Sequence, residues 1–367
     1  MQPTPEIASF WREFAVQEAA FFQLPPAERV EQINALASQY LHGVTLEVLG
    51  APDATRLELV LTAHGHIEFF PLLSQVAGAA PALAHFGVTA FRARSQEADF
   101  SIQMDGLELS TSEVMVALEQ DDGRVALELH FKPEVSEALA EQARHMAFIM
   151  LDHVLGEYDF AVKVGAIDFV SPAPDAPVSW TPLSALAQVF DTYWVETLGR
   201  TGIFPTGEAH WEGMELQFNC AVDDSGNEIE LDDFAWGDDD TVTEEASDAQ
   251  EAGFVAVNLS ADAVAMRADL ATAWTLDLPA ADEGAQARAQ ALQDQAGMLL
   301  QQMHQGLMVL TLTKEGRRQA LYYVVDEALA RQTLAPLLAR PEAVDAEIKV
   351  SFDPAWSGYF EYAGYLA

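Results

Sequence analysis

Glu157, Tyr158 and Asp159 stand together in the segment GEYDF. Two carboxylates around a phenol are suited to general acid–base work. The plainer alternative is that they end one helix and hold the turn after it. An enzyme built on them also needs cations to bind and orient a substrate. Arg92 and Arg200 are the candidates, and the four residues would meet in a cleft between the two halves of the chain. His64 and His66 flank Gly65, a spacing that puts both imidazoles on one face of a strand. Zinc needs one or two further ligands, and none is near in sequence, so an exposed hairpin tip is expected and no metal is assigned. His145 and His153 lie on one expected helix without the i, i+4 spacing of a zinc helix. The run Asp223 to Glu228 resembles the start of a calcium loop but lacks its sixth-position Gly and its terminal Glu. A hairpin turn between 215–222 and 229–231 is the simpler reading. Cys220 lies in the apolar run LQFNCAV and reads as a buried thiol rather than a nucleophile. There is no Gly-rich phosphate loop, nucleophile elbow or zinc-type cysteine pattern. No cofactor is assigned.

The elements that must position these residues come from a chain of 367 residues, half of them hydrophobic, with 20 Phe and 7 Trp. That content supports a sizeable core and excludes general disorder. Lys and Arg total 18 against 58 Asp and Glu, a net charge of −40. Such a surface repels nucleic-acid phosphate and anionic lipid, so neither is an expected partner. The N-terminus MQPTPE carries no basic segment followed by an apolar run, and no uncharged run reaches the ~20 residues that span a bilayer. With one cysteine, these features lead to the expectation of a cytoplasmic protein.

Four of the twelve residues in SPAPDAPVSWTP, 171–182, are Pro. We read 172–182 as a linker between an N-terminal domain, 1–171, and a C-terminal domain, 183–367. The stretch Asp223 to Glu251 holds thirteen acidic residues and no Lys or Arg, and its part 238–251 reads as a solvated loop. Three segments share the order strand, turn, strand, helix, strand. The first runs through 57–63, a turn at His64-Gly65, a return strand 66–70, a helix opened by Pro71, and a strand 88–93. The second has strands 112–118 and 125–131, a helix from Pro133 to Gly156, and a strand 162–170. The third has strands 308–313 and 319–325, a helix 326–339 and a strand 347–352. Preceded by a strand 274–278 and an amphipathic helix 282–305, this third unit becomes βαββαβ, the split βαβ of a ferredoxin-like sandwich. The expected class is α+β: repeated ββαβ units forming ferredoxin-like sandwiches, with antiparallel or mixed sheets and helices on one face. Trp11, Phe14, Ala15 and Glu18 fall at helical spacing, predicting an N-terminal helix packed by its aromatic face.

The C-terminal stretch GRRQALYYVVD from Gly316, with the later FDPAWSGY from Phe352, resembles the bacterial domain-of-unknown-function family 695. Such domains often stand beside a domain similar to the type B regulator of ribonuclease E activity, a small acidic ferredoxin-like inhibitor. The segments LVLTAHG, AFRAR and GEYDFAVKVGAIDFV resemble the partner region of related proteins. The resemblance implies a ferredoxin-like fold and a regulatory association, and it transfers no catalytic residue.

Together these readings point to a non-catalytic acidic protein that binds and regulates or neutralises a basic protein partner. Asp238, Asp239, Asp240, Glu244 and Glu245 are the expected binding residues. The alternatives are a hydrolase-type enzyme using Arg92, Glu157, Asp159 and Arg200, or a small-molecule-binding module between the halves.

Overall fold

The computed structural model of the chain describes residues 3–51, 54–97, 99–171, 179–219 and 250–366. It is α+β and forms two compact units, Met1–Leu198 and Gly199–Ala367. Among the described residues no helix is long and apolar enough to cross a membrane.

The first unit begins with α1 (Pro5–Gln23) and α2 (Pro26–Ala37), each with a Pro in its first turn, where the missing N–H costs nothing. Thr4 caps α1, and Ile7, Phe10, Trp11, Phe14 and Phe21 form its buried stripe, as the aromatic spacing predicts. A three-stranded sheet follows: β1 (Thr45–Leu49), β2 (Leu57–Thr62) and, after α3 (Phe70–Gly78), β3 (Phe86–Ala90). β1 runs antiparallel and β3 parallel to β2. Residues 66–70 are therefore not a return strand. They form a 3-10 turn, Ile67–Phe69, that leads into α3. The physical reason is that β1 and β3 already pair both edges of β2, and Pro71 favours helix entry.

The hairpin β4 (Ser101–Met104) and β5 (Leu107–Ser110) precedes a second sheet. Its strands β6 (Val114–Asp121) and β7 (Arg124–Phe131) pair around the expected Asp121–Gly123 turn. Next come α4 (Ala140–Leu155), α5 (Glu157–Lys163) and β8 (Val164–Phe169), which pairs parallel to β7. The sequence places strand from 162, but a second helix occupies 157–163 because Gly156 breaks α4 and the chain restarts helical at Glu157. A short β9 (Thr181–Pro182) pairs with β6, and α6 (Leu186–Thr192) follows. The division between units thus falls after Leu198 rather than at 172–182. Strand pairing at Thr181–Pro182 and burial of Leu183, Leu186 and Phe190 tie 179–198 to the first unit. Residues 172–178 of the expected linker lie outside the described residues.

The second unit has one six-stranded sheet. β10 (Trp211–Asn219) and β11 (Gln250–Asn258) form a nine-pair antiparallel ladder, so 250–251 of the expected loop are strand, held there by pairing with 218–219, while the expected hairpin partner 229–231 lies outside the described residues. The ferredoxin-like frame is β12 (Thr272–Pro279), α7 (Glu283–Gln302), β13 (Gly306–Lys314), β14 (Arg317–Val324), α8 (Glu327–Leu338) and β15 (Glu347–Phe352). The sheet order β10-β11-β13-β14-β12-β15, antiparallel throughout, is the split βαβ arrangement extended at one edge by the β10–β11 pair. Leu292, Ala296 and Leu300 of α7 and Ala330, Leu334 and Leu337 of α8 pack over Trp274, Leu276, Tyr322 and Val324. Asp282 and Asp326 cap the two helices through the N–H groups of Ala285 and Leu329. The C-terminal α9 (Ser357–Ala363) completes the unit.

Gly156 joins α4 to α5 with φ +79° and ψ 151°, a conformation that side chains resist. A Cβ there would meet Arg92 O and Arg94 N, each at 3.2 Å. Gly156→Ala is expected to cost about 2 kcal/mol or more in urea unfolding, with the unfolding slope unchanged.

Candidate functional site

The end of β2, the end of β3 and the start of α5 converge on Glu157. Its side chain is fully buried. Glu157 Oε1 accepts from Thr62 Oγ1 at 2.8 Å, Ala63 N at 2.8 Å and Gly65 N at 3.2 Å. Its Oε2 accepts from Arg92 N at 3.1 Å, and Glu157 N donates to Arg92 O at 3.0 Å. A carboxylate offers about four acceptor positions, two on each oxygen, and here three donors crowd Oε1 and one reaches Oε2. Glu157 thereby holds three chain segments together.

Arg92 and Asp159 join the same assembly through ion pairs of their own. The Arg92 guanidinium donates to both oxygens of Glu47, at 3.2 and 2.5 Å, and also pairs with Asp152. Asp159 accepts from Arg94 at 2.7 Å and pairs with Lys163 at 2.6 Å. Arg94 also binds Asp191 through two nitrogens, at 2.7 and 2.9 Å, and donates to Leu155 O at 3.0 Å. Hydrogen bonding to Asp191 raises the Arg94 pKa, with Asp159 adding to it. Two Arg–carboxylate clusters thus flank the Glu157 knot. Asp152 lies one helical turn before GEYDF, whereas Glu47 and Asp191, which also complete them, lie far from it in sequence and carry no local signal.

Arg200 belongs to the second unit and has its own partners. It is buried, pairs with Asp262 at 3.2 Å and lies 4.8 Å over the Phe360 ring. Burial lowers the Arg200 pKa and raises that of Asp262, and their mutual attraction works against both shifts. Of the four residues of the enzyme reading, three lie in the network of the first unit, and the fourth pairs with Asp262 in the second.

The FDPAWSGY motif has a structural role. Asp353 Oδ2 accepts from Tyr323 Oη at 2.6 Å and from Gly358 N at 3.0 Å, while Oδ1 accepts from Ser357 N at 2.9 Å. Trp356 adopts φ +56° and lies flat on Tyr323, ring centroids 4.0 Å apart. Its indole N–H donates to Leu270 O at 2.8 Å. Burial and the neighbouring Asp353 charge both raise the Tyr323 pKa, so its hydroxyl stays a donor. The motif starts α9 and anchors it to β14.

His64 and His66 are exposed, as expected of a turn, and His66 Nδ1 lies 3.4 Å from Glu68. Among the described residues no three His, Cys, Asp or Glu side chains form a group that could hold a metal ion. His145 is exposed and His153 half-buried. Cys220, Asp238, Asp239, Asp240, Glu244 and Glu245 lie outside the described residues. No known family, curated protein or solved structure matches this chain.

Glu157→Ala strands four donors and is expected to destabilise the first unit by roughly 3 kcal/mol in urea unfolding. Glu157→Gln fares little better, because its amide nitrogen turns a donor toward another donor. Asp353→Ala, which removes a cap and the Tyr323 acceptor, is expected to cost about 2 kcal/mol, read by the same method. Burial, then the Arg92 charge, holds the His153 pKa below the usual imidazole value. The unfolded chain therefore takes up this proton more readily than the folded one. The effect is absent above about pH 6.5 and destabilising as pH falls below it. His153→Gln should flatten the loss of stability between about pH 7 and pH 5, measured by denaturant titration at each pH.

Proposed function

We propose that the protein is a non-catalytic acidic binding protein that covers and regulates a basic protein partner. The observation that carries this reading is the use made of its charges. The carboxylates with the best claim to chemistry, Glu157 and Asp159, are spent on internal donors and cations. Many of the scarce cations are likewise engaged within the chain: Arg92, Arg94, Lys163, Arg200, Arg267, Arg317 and Arg331 all pair with its own carboxylates. With 58 acidic residues against 18 basic ones, a large negative excess has no internal counterpart. Such an excess speeds encounter with a basic surface and excludes acidic competitors.

Asp238, Asp239, Asp240, Glu244 and Glu245 are the densest part of this charge and the proposed contact residues. The resemblance of the C-terminal motifs to family 695, whose domains often accompany ferredoxin-like inhibitors, supports a regulatory role. A cytoplasmic location fits the reading and is proposed with it.

The test is affinity capture at low ionic strength with the full chain as bait, followed by a salt gradient. A single basic protein released sharply by salt is expected, and it should be lost when the five acidic positions are changed to Asn or Gln. Capture of no basic protein, or unchanged capture by the neutralised bait, overturns the proposal.

A further inference from the structure

One cavity of the first unit departs from the charge pattern of the rest of the chain. It has a volume of about 390 Å³ and lies where the α2–β1 connection meets the turn after β2. His42, His64 and His66 line it, together with Thr45 and the ring of Phe69. Three of the nine histidines of the chain meet here, and among the described residues no acidic one is part of the lining. In a protein of net charge −40, a concavity lined by three imidazoles, with the nearby Glu68 carboxylate beside His66 but outside the lining, is a local departure in character.

The wall that carries His64 is rigidly held. Ala63 N and Gly65 N both donate to the buried Glu157, and His64 N donates to Thr62 Oγ1 at 3.0 Å. All three successive amides of the turn are therefore fixed. His64 itself sits at φ +52°, a left-handed conformation that a non-glycine residue adopts at a cost. Its ring is left exposed at the cavity. On the opposite side, Gly43 at φ +76° lets the Phe69 ring lie against the backbone, where a Cβ would stand 2.5 Å from the ring. A buried carboxylate and a left-handed histidine are costly features. Here they present one imidazole to a space that already holds two others and an aromatic wall.

We infer that this cavity binds a small aromatic oxyanion, an aryl carboxylate or aryl phosphate. Imidazole N–H groups and the Thr45 hydroxyl supply donors for the oxyanion, and the Phe69 ring supplies a face for the aromatic part. The volume falls within the range of small-molecule sites. The imidazoles are not part of any metal-holding group among the described residues, which favours an oxyanion acceptor over a cation.

The test is calorimetric titration of the full chain with phenyl phosphate, benzoate and zinc chloride in separate runs. One-to-one binding of an aryl oxyanion is expected. It should weaken by about tenfold or more in His64→Asn and in His42→Gln, with the melting temperature unchanged. Asparagine tolerates the left-handed conformation, so His64→Asn removes the imidazole while keeping the turn. Binding of phenyl phosphate alone identifies a phosphoryl ligand, and binding of benzoate alone a carboxylate. The inference is overturned if neither oxyanion binds up to about 5 mM, or if both variants bind as the parent does. It is equally overturned if zinc alone binds and the same variants abolish it.

Discussion

A carboxylate withdrawn from water must find a donor for nearly every lone pair, and that requirement organises the first unit around Glu157. The donors it recruits are backbone amides at the end of β2 and just beyond β3, together with the Thr62 hydroxyl. Strand ends normally leave such amides to water. Here they are gathered on one buried acceptor, which ties LTAHG, FRAR and GEYDF into a single junction. The same device operates in the second unit on a smaller scale. Asp353 collects two helix-start amides and the Tyr323 hydroxyl, and Trp356 seals the arrangement by stacking on Tyr323. Both motifs look chemical in sequence because they are rich in acids and aromatics. In both, the acids serve the backbone.

The second unit was the more legible from sequence. Asp282 and Asp326 stand at helix starts and Gly316 lies in the β13–β14 turn, so local propensity and tertiary pairing agree. The first unit was harder for identifiable reasons. The segment HIEFF alternates like a strand, yet β2 has its edges taken by β1 and β3. β1 is a five-residue strand, too short to announce itself. Val162 and Val164 read as one β-branched run, whereas the helix restarted by Gly156 lasts until Lys163. The Pro-rich segment marks a real break in composition, but the chain returns from it to add β9 and α6 to the first unit.

Of the polar cluster, sequence grouped Glu157, Asp159 and Arg92, and gave the holding of a turn as the plainer role of the two acids. What it could not show was how many donors Glu157 collects. Whether a buried acid is reactive or structural depends on how many donors surround it, and those donors are backbone groups that every sequence possesses. Arg200 belongs to the second unit. Its partner Asp262 and the Phe360 ring lie far along the chain, a pairing set by tertiary packing rather than by spacing.

The β10–β11 ladder also shapes how this protein can change. Asn219 is in register with Gln250, so the sheet holds these two positions side by side. The free energy of joining two such fixed points grows only with the logarithm of the intervening length, about 0.6 kcal/mol per doubling. The acidic stretch between them can therefore be lengthened, shortened or exchanged at small cost to the ferredoxin-like frame. The sheet supplies a socket, and the cargo inserted there is free to evolve, or to be engineered, on its own.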